Sequence, residues 1–192
     1  MRHGLVLGVL VGGASSRMGG RPKGLLLAPR EEGAPRRSVI ERTIALGRVV
    51  AGEVVLLGRA EAYASLGVPA LADAAGEGPL AGIAALLAHA GDRGAIVIAC
   101  DMPYVQSACI ARLASWGEGA AAVAPRDGAI WSPLFARFDA PRAAPEARAL
   151  LARGGAGPSA LLDALAAREL PMTDDERRSL RDWDAPEDME DG

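Results

Sequence analysis

The chain has 192 residues, half of them hydrophobic but only 4% aromatic, with a formal net charge of −3 and a pI near 5.5. That length supports one sizeable core and a single domain over 1–192, and the acidic balance argues against a broad nucleic-acid-binding surface. No apolar run reaches the ~20 residues that span a bilayer, and Met1–His3 followed by Leu5–Val11 lacks a signal-peptide pattern, so a soluble, cytoplasmic protein without membrane contact is expected.

Leu5–Val11 is a continuous apolar run before glycines and reads as a strand buried on both faces. Gly12–Lys23, rich in Gly, Ser and Arg, is a loop. Ala28–Arg37 is polar and proline-punctuated, an exposed loop. Ser38 and Glu41 have capping-box spacing and open a helix from Val39 to Val50. Glu53–Leu57 is a second strand, a small helix lies around Glu61–Leu66, and Val68–Ala72 gives a weaker third strand ending at Asp73. Pro79 suits the first turn of a helix running to His89. Ala95–Ala99 is the fourth strand and leads into Cys100-Asp101, with a helix over Ser107–Trp116 beyond it. Strands are next expected at Ala120–Ala124 and Ile130–Phe138, and helices at Pro145–Arg153 and Ser159–Arg168. The acidic tail Asp174–Gly192 frays after Met189. The alternation predicts an α/β three-layer sandwich, a Rossmann-like and mostly parallel sheet between helices.

In such a sheet, ligands sit beyond the carboxyl ends of the strands, near the point where strand order reverses. Three segments meet that rule: Gly12–Lys23, Asp73–Gly82 and Cys100–Pro103. In the first, glycines let backbone N–H groups approach phosphate, and Arg17 and Lys23 add positive charge. The segment has neither the Walker pattern nor a strict G-x-G-x-x-G. Composition singles out Lys23: of 21 basic residues it is the only lysine, and asparagine is absent altogether. Lysine offers a compact point charge where arginine is a broad planar fork, so a tight contact with one phosphate would discriminate between them. A carboxylate at a strand's carboxyl end, as at Asp101, suits a hard cation such as Mg²⁺.

Other residues read more blandly. Asp73 fits either a cap of the next turn or a ligand contact, and Arg17 either a solvated loop charge or a phosphate contact. Ser15 and Ser16 shape the loop, since no base is in sight. Cys100 and Cys109 form no paired motif and read as buried thiols, His3 and His89 carry no assigned chemistry, and Trp131 and Trp183 read as packing residues.

The same segments resemble the molybdenum cofactor nucleotidyltransferases, whose signature loop is close to GG-x-S-x-R-M-G-x-x-K. Gly12, Gly13, Ser15, Arg17, Met18, Gly19 and Lys23 fit it, with one extra residue before the lysine. Gly24-Leu25-Leu26, the stretch Asp73…Gly78-Pro79-Leu80-Ala81-Gly82, Cys100-Asp101-Met102-Pro103-Tyr104 and Asp184-Ala185-Pro186-Glu187-Asp188 are similar to the guanylyltransferase branch. The resemblance implies that Leu10, Val11 and Gly12 hold the base and sugar edge, with Gly13 beside them. It implies that Arg17 and Lys23 neutralise the triphosphate, that Asp73 contacts the nucleotide and that Asp101 binds Mg²⁺. The implied reaction moves GMP from GTP onto the terminal phosphate of molybdenum-bound molybdopterin and releases pyrophosphate. Accessory proteins that deliver the cofactor are further partners it suggests.

Departures fall at Leu57-Gly58-Arg59, where that branch carries an asparagine, at Trp131-Ser132-Pro133, where it often has His-Pro, and at Asp182-Trp183-Asp184, where Asn-x-Asn is usual. The last leaves a molybdopterin cytidylyltransferase, or another nucleotidyltransferase such as one acting on a sugar phosphate, as the alternative enzyme. A non-catalytic nucleotide-binding partner protein is the alternative of another class.

Overall fold

The structure, a computed structural model, describes residues 4–11, 22–29, 35–73 and 78–183. The N-terminal apolar run forms β1 (Leu5–Leu10), which pairs in parallel with β2 (Glu53–Leu57) on one side and with β4 (Gly94–Ala99) on the other. A central strand has both faces covered, and its side chains alternate between them. Val6 and Leu10 face one apolar cluster, and Leu7, Val9 and Val11 face the other. β3 is shorter than the sequence suggests, only Ala70–Leu71, at the edge beside β2.

Three helices follow the expected bounds. The helix α1 (Val39–Val50) opens on the capping box of Ser38 and Glu41, α2 (Pro79–Ala90) starts with proline in its first turn, and α3 (Ser107–Ser115) follows β4. The segment Glu61–Leu66 is a 3-10 helix. Ile40, Ile44, Ile110 and Leu113 bring α1 and α3 onto one face of the sheet, while Leu80, Ile83 and Leu87 bring α2 onto the other. The result is the three-layer α/β sandwich that the alternation predicted.

The second half departs from expectation. The stretch expected as one strand over 130–138 is two: β7 (Ile130–Trp131) forms a hairpin with β6 (Arg126–Asp127), and β8 (Phe135–Asp139) joins the main sheet. Ser132-Pro133 separates them, because proline has no N–H for a ladder and the chain turns there with Phe135 N–H donating to the Ser132 carbonyl. β8 lies antiparallel between β4 and β5 (Ala122–Ala124). The helix expected from Pro145 begins earlier, as α4 (Ala140–Arg153), capped by the Asp139 carboxylate, with Pro145 inside it. The helix expected over 159–168 is α5 (Pro158–Ala164); Ala166 at φ 46° turns the chain, and Arg168–Glu169 becomes β9, parallel to β5. A short α6 (Asp174–Ser179) ends the described elements.

The main sheet therefore runs β3-β2-β1-β4-β8-β5-β9. The chain builds outward from β1 to β3, then returns to place β4 on the other flank of β1. That reversal puts the topological switch point between β1 and β4. Among the described residues, no helix is long and apolar enough to cross a membrane.

Candidate active site

Lys23 and Asp101 meet at this switch point. Lys23 begins a 3-10 turn (Lys23–Leu25) whose N–H groups fold back on Pro22 and Lys23. A bridge between Leu27 and Ser38 and the Val39 N–H to Leu26 carbonyl bond tie that turn to the start of α1. Asp101 follows β4, whose Cys100 N–H donates to the Leu10 carbonyl on β1 at 3.0 Å. From the other side, the Trp183 N–H donates to the Asp101 carbonyl at 2.9 Å, and the Trp183 ring stands edge-to-face on Tyr104 with centroids 6.2 Å apart. The two charged groups end 3.5 Å apart, Lys23 Nζ to Asp101 Oδ2, with side chains 17% and 23% exposed. Both keep access to solvent, as groups that take a ligand need.

Gly24 explains how the turn sits so close. A Cβ added there would lie 3.0 Å from the Tyr63 hydroxyl oxygen and 3.2 Å from Cβ of Ile40, so only glycine fits without displacing a neighbour. The Tyr63 hydroxyl and ring therefore pack directly on Gly24. Burial, reinforced by the negative charge of Asp101, pushes the Cys100 thiol up to about 12. Burial likewise raises the Tyr63 phenol above its ordinary value. Both groups therefore stay neutral at physiological pH, and neither is a nucleophile there.

Asp73 lies on the same end of the sheet, past β3. Its Oδ1 is 3.5 Å from where a Cβ on Gly82 would stand, and that same Cβ would meet Leu10 Cδ2 at 3.0 Å. Glycine in the first turn of α2 thus lets the helix, the β1 end and the Asp73 carboxylate converge. The Leu10 carbonyl and the Val11 N–H, which donates to Leu57, are both engaged in the sheet. Gly12, Gly13 and Arg17, and the 184–188 motif, lie outside the described residues.

Among the described residues, no three His, Cys, Asp or Glu side chains gather to hold a metal ion. A single carboxylate still fits Mg²⁺, which keeps several waters and takes other ligands from phosphates. His89 sits at the far end of the sheet, bonded to Glu53 at 2.8 Å. Trp131 and Trp183 are buried, as packing residues are, and so are both cysteines. Tyr63, packed against Gly24 next to Lys23, is the neighbouring residue that the sequence reading missed.

A parallel sheet that presents a cation and a carboxylate on facing loops at its switch point is the architecture of nucleotide-binding α/β proteins. The chain belongs to the MobA-like NTP transferase domain family, whose profile matches residues 7–170. It is similar to a probable molybdenum cofactor guanylyltransferase of Pelotomaculum thermopropionicum, 35% identical over 133 residues, a match that covers 68% of this chain and 62% of that protein. A molybdenum cofactor guanylyltransferase of Pseudomonas putida is 34% identical over 95% of this chain and 94% of its own length. Among solved structures, molybdopterin-guanine dinucleotide biosynthesis protein A from Archaeoglobus fulgidus superposes with a TM-score of 0.77 at 26% identity, covering 97% of this chain and 95% of that one.

Proposed function

We propose that the protein is a Mg²⁺-dependent guanylyltransferase that moves GMP from GTP onto the terminal phosphate of molybdenum-bound molybdopterin. The observation that carries this reading is the Lys23–Asp101 pair, 3.5 Å apart at the switch point. Without nucleotide the two charges neutralise each other. A metal–triphosphate offers each a stronger partner, phosphate oxygen for Lys23 and cation for Asp101, so the exchange leaves neither charge unpaired. Leu10, Val11 and Gly12 would border the base and sugar, Gly13 and Arg17 would line the phosphate loop, and Asp73 would contact the nucleotide. Mg²⁺, held by Asp101 and the phosphates, would supply charge neutralisation at the reacting phosphate.

No general base is needed. The attacking oxygen belongs to a phosphate monoester whose second pKa of ~6 leaves it largely ionised at neutral pH. That oxygen bonds to the α-phosphorus of GTP as the bond to the bridging oxygen breaks, and pyrophosphate leaves. The residues act by placement and by neutralising negative charge. Accessory proteins of cofactor delivery belong to the same proposal.

The test is thermal stability with each nucleoside triphosphate in the presence of Mg²⁺. A ligand at a hundred times its Kd adds about 2.7 kcal/mol to folding stability, which in a chain of this size is roughly 5–10 °C in Tm. GTP should produce a shift of that order and CTP a clearly smaller one. Equal shifts, or a larger one with CTP, would replace the guanylyl reading with a cytidylyl one.

A further inference from the structure

Asp101 sits in the turn between β4 and α3, outside both elements, so its direction depends on what bonds the turn. One such bond comes from a distant part of the chain: the Trp183 N–H donates to the Asp101 carbonyl at 2.9 Å. Trp183 is 4% exposed, and its ring stands edge-to-face on Tyr104 of the same turn, with centroids 6.2 Å apart. Its indole N–H is buried without a hydrogen-bond partner among the described residues, which is unusual for a tryptophan. The ring is therefore kept there for its shape against the turn and not for its donor. The segment that delivers it is fastened upstream. Arg112 of α3 bonds the Glu176 carboxylate on α6 and the Pro171 carbonyl, the latter at 2.5 Å. Arg177 of α6 donates to the Arg126 carbonyl on the hairpin at 2.5 Å. Leu180, Arg181 and Asp182 alone separate α6 from Trp183, which leaves little slack.

We propose that Trp183 is a positioning residue: its N–H on the Asp101 carbonyl and its ring on Tyr104 hold the turn so that the Asp101 carboxylate meets Lys23 at 3.5 Å. The inference rests on the reading of Asp101 as the carboxylate that handles the metal–nucleotide. Carbonyl and carboxylate belong to one residue, so a shift of the first swings the second. Displacement of about 1 Å in a reacting group can cost up to about a hundredfold in rate. The far end of the turn is held separately, by Arg42 of α1, which donates to the Val105 carbonyl at 2.6 Å. Trp183 thus secures the end that carries Asp101. The rival account makes Trp183 packing alone, its ring covering Tyr104. That account predicts a loss of stability and none of catalysis in protein that is still folded.

Trp183→Ala removes the ring and leaves the backbone N–H, and Trp183→Phe restores an aromatic edge without the orphaned donor. In nucleotide-free protein, the amide of residue 183 should lose at least about tenfold of its protection from solvent exchange in Trp183→Ala and keep it in Trp183→Phe. In transfer by folded Trp183→Ala, kcat should fall about tenfold while KM for GTP moves by less than about threefold. Trp183→Phe should recover most of that loss. The decisive measurement is a double-mutant cycle with Asp101→Asn. If Trp183 acts through Asp101, the double variant is no slower than Asp101→Asn alone. Retained protection or a wild-type kcat in Trp183→Ala, a Trp183→Phe as slow as Trp183→Ala, or losses that multiply in the double variant would each overturn the proposal. Should Trp183→Ala not fold, Arg112→Met unfastens α6 instead. Protection at Trp183 and kcat should then each fall about threefold, and no change in either would overturn the proposal equally. Absence of GMP transfer by the wild-type protein would instead sink the proposed function, and the exchange result would still decide whether Trp183 holds the turn.

Discussion

Lys23 was visible in the sequence because composition isolated it, and the structure adds the reason arginine would serve badly there. Its side chain is 17% exposed and ends 3.5 Å from a carboxylate, in a turn already packed against Tyr63 and Ile40. A guanidinium would need more room than that turn offers. In the proposed reaction negative charge would move onto the leaving pyrophosphate, where a fixed cation is worth roughly 3 kcal/mol, about a hundredfold in rate. Lys23→Ala should lose about that factor, and Lys23→Arg should recover little of it. Single-turnover GMP transfer by both variants, after melts show them folded, checks this; wild-type rate in Lys23→Ala would remove Lys23 from the mechanism, and full rescue by arginine would show that the site does not select for lysine's compact charge. Asp101 was legible from its place at a strand end. Tyr63 was not, since its contact with Gly24 is made through space, and nothing in the spacing of GRAEAYASL marks it.

At the level of elements, what was local in origin was read well. The box of Ser38 and Glu41 needs only four consecutive residues, and the Ser38 N–H and hydroxyl both donate to Glu41 Oε2 at 2.7 Å. The two-residue strands β6, β7 and β9 carry no period to detect; a register with a distant partner creates them. The start of α4 was misread for a related reason. Proline favours the first helical turn, yet the helix begins at Ala140, because Ala140, Ala143, Ala147 and Leu150 form a small-residue face buried against the cluster that includes α2. Pro145 is exposed on the opposite side and lacks the N–H that would reach the Pro141 carbonyl. Pro145→Ala restores that donor. An interior proline costs about 3 kcal/mol in a helix, offset by roughly 1 kcal/mol of unfolded-state restriction that alanine gives up. The variant should therefore be more stable to urea by about 1–2 kcal/mol. A loss of stability would mean that the helix uses the ring for packing.

For the molecule as a whole, the parallel half was predictable and the reversed strand β8 was not. Alternation of strands and helices implies crossovers, but the direction of β8 depends on the turn at Ser132-Pro133 and on its pairing with Ala95–Ile98. The end of the sheet remote from Asp101 is held by Glu53, which accepts from His89 at 2.8 Å and from Arg93 at 2.6 Å. The hydrogen bond from Arg93, then that from His89, holds the Glu53 carboxyl below its ordinary value of 4.5. A carboxyl depressed in the folded state stabilises the fold above its unfolded pKa, and that contribution is lost as pH falls through the folded value. Glu53→Gln should therefore melt below wild type near neutrality, by no more than about 1 kcal/mol given its solvent screening. The gap should close once pH drops well under 4.5. Melts across an acid pH series test this, and a gap that does not vary with pH would show that packing, not charge, is what Glu53 supplies.

The reversed strand also divides labour along the chain. Because β8 runs against β4 and β5, β5 points the same way as β4, and the β6–β7 hairpin emerges beside Asp101's end of the sheet. Lys23, Asp73 and Asp101 themselves come from the first 101 residues, with Tyr104 and Trp183 packed beside Asp101, whereas this rim, with Ile130 74% exposed, is written in a separate stretch of ten residues from Pro125 to Leu134. Within it Trp131 is anchored, buried in the core cluster and donating to Asp163 at 2.8 Å, so the part free to change in length and composition is the exposed tip from Asp127 to Ile130.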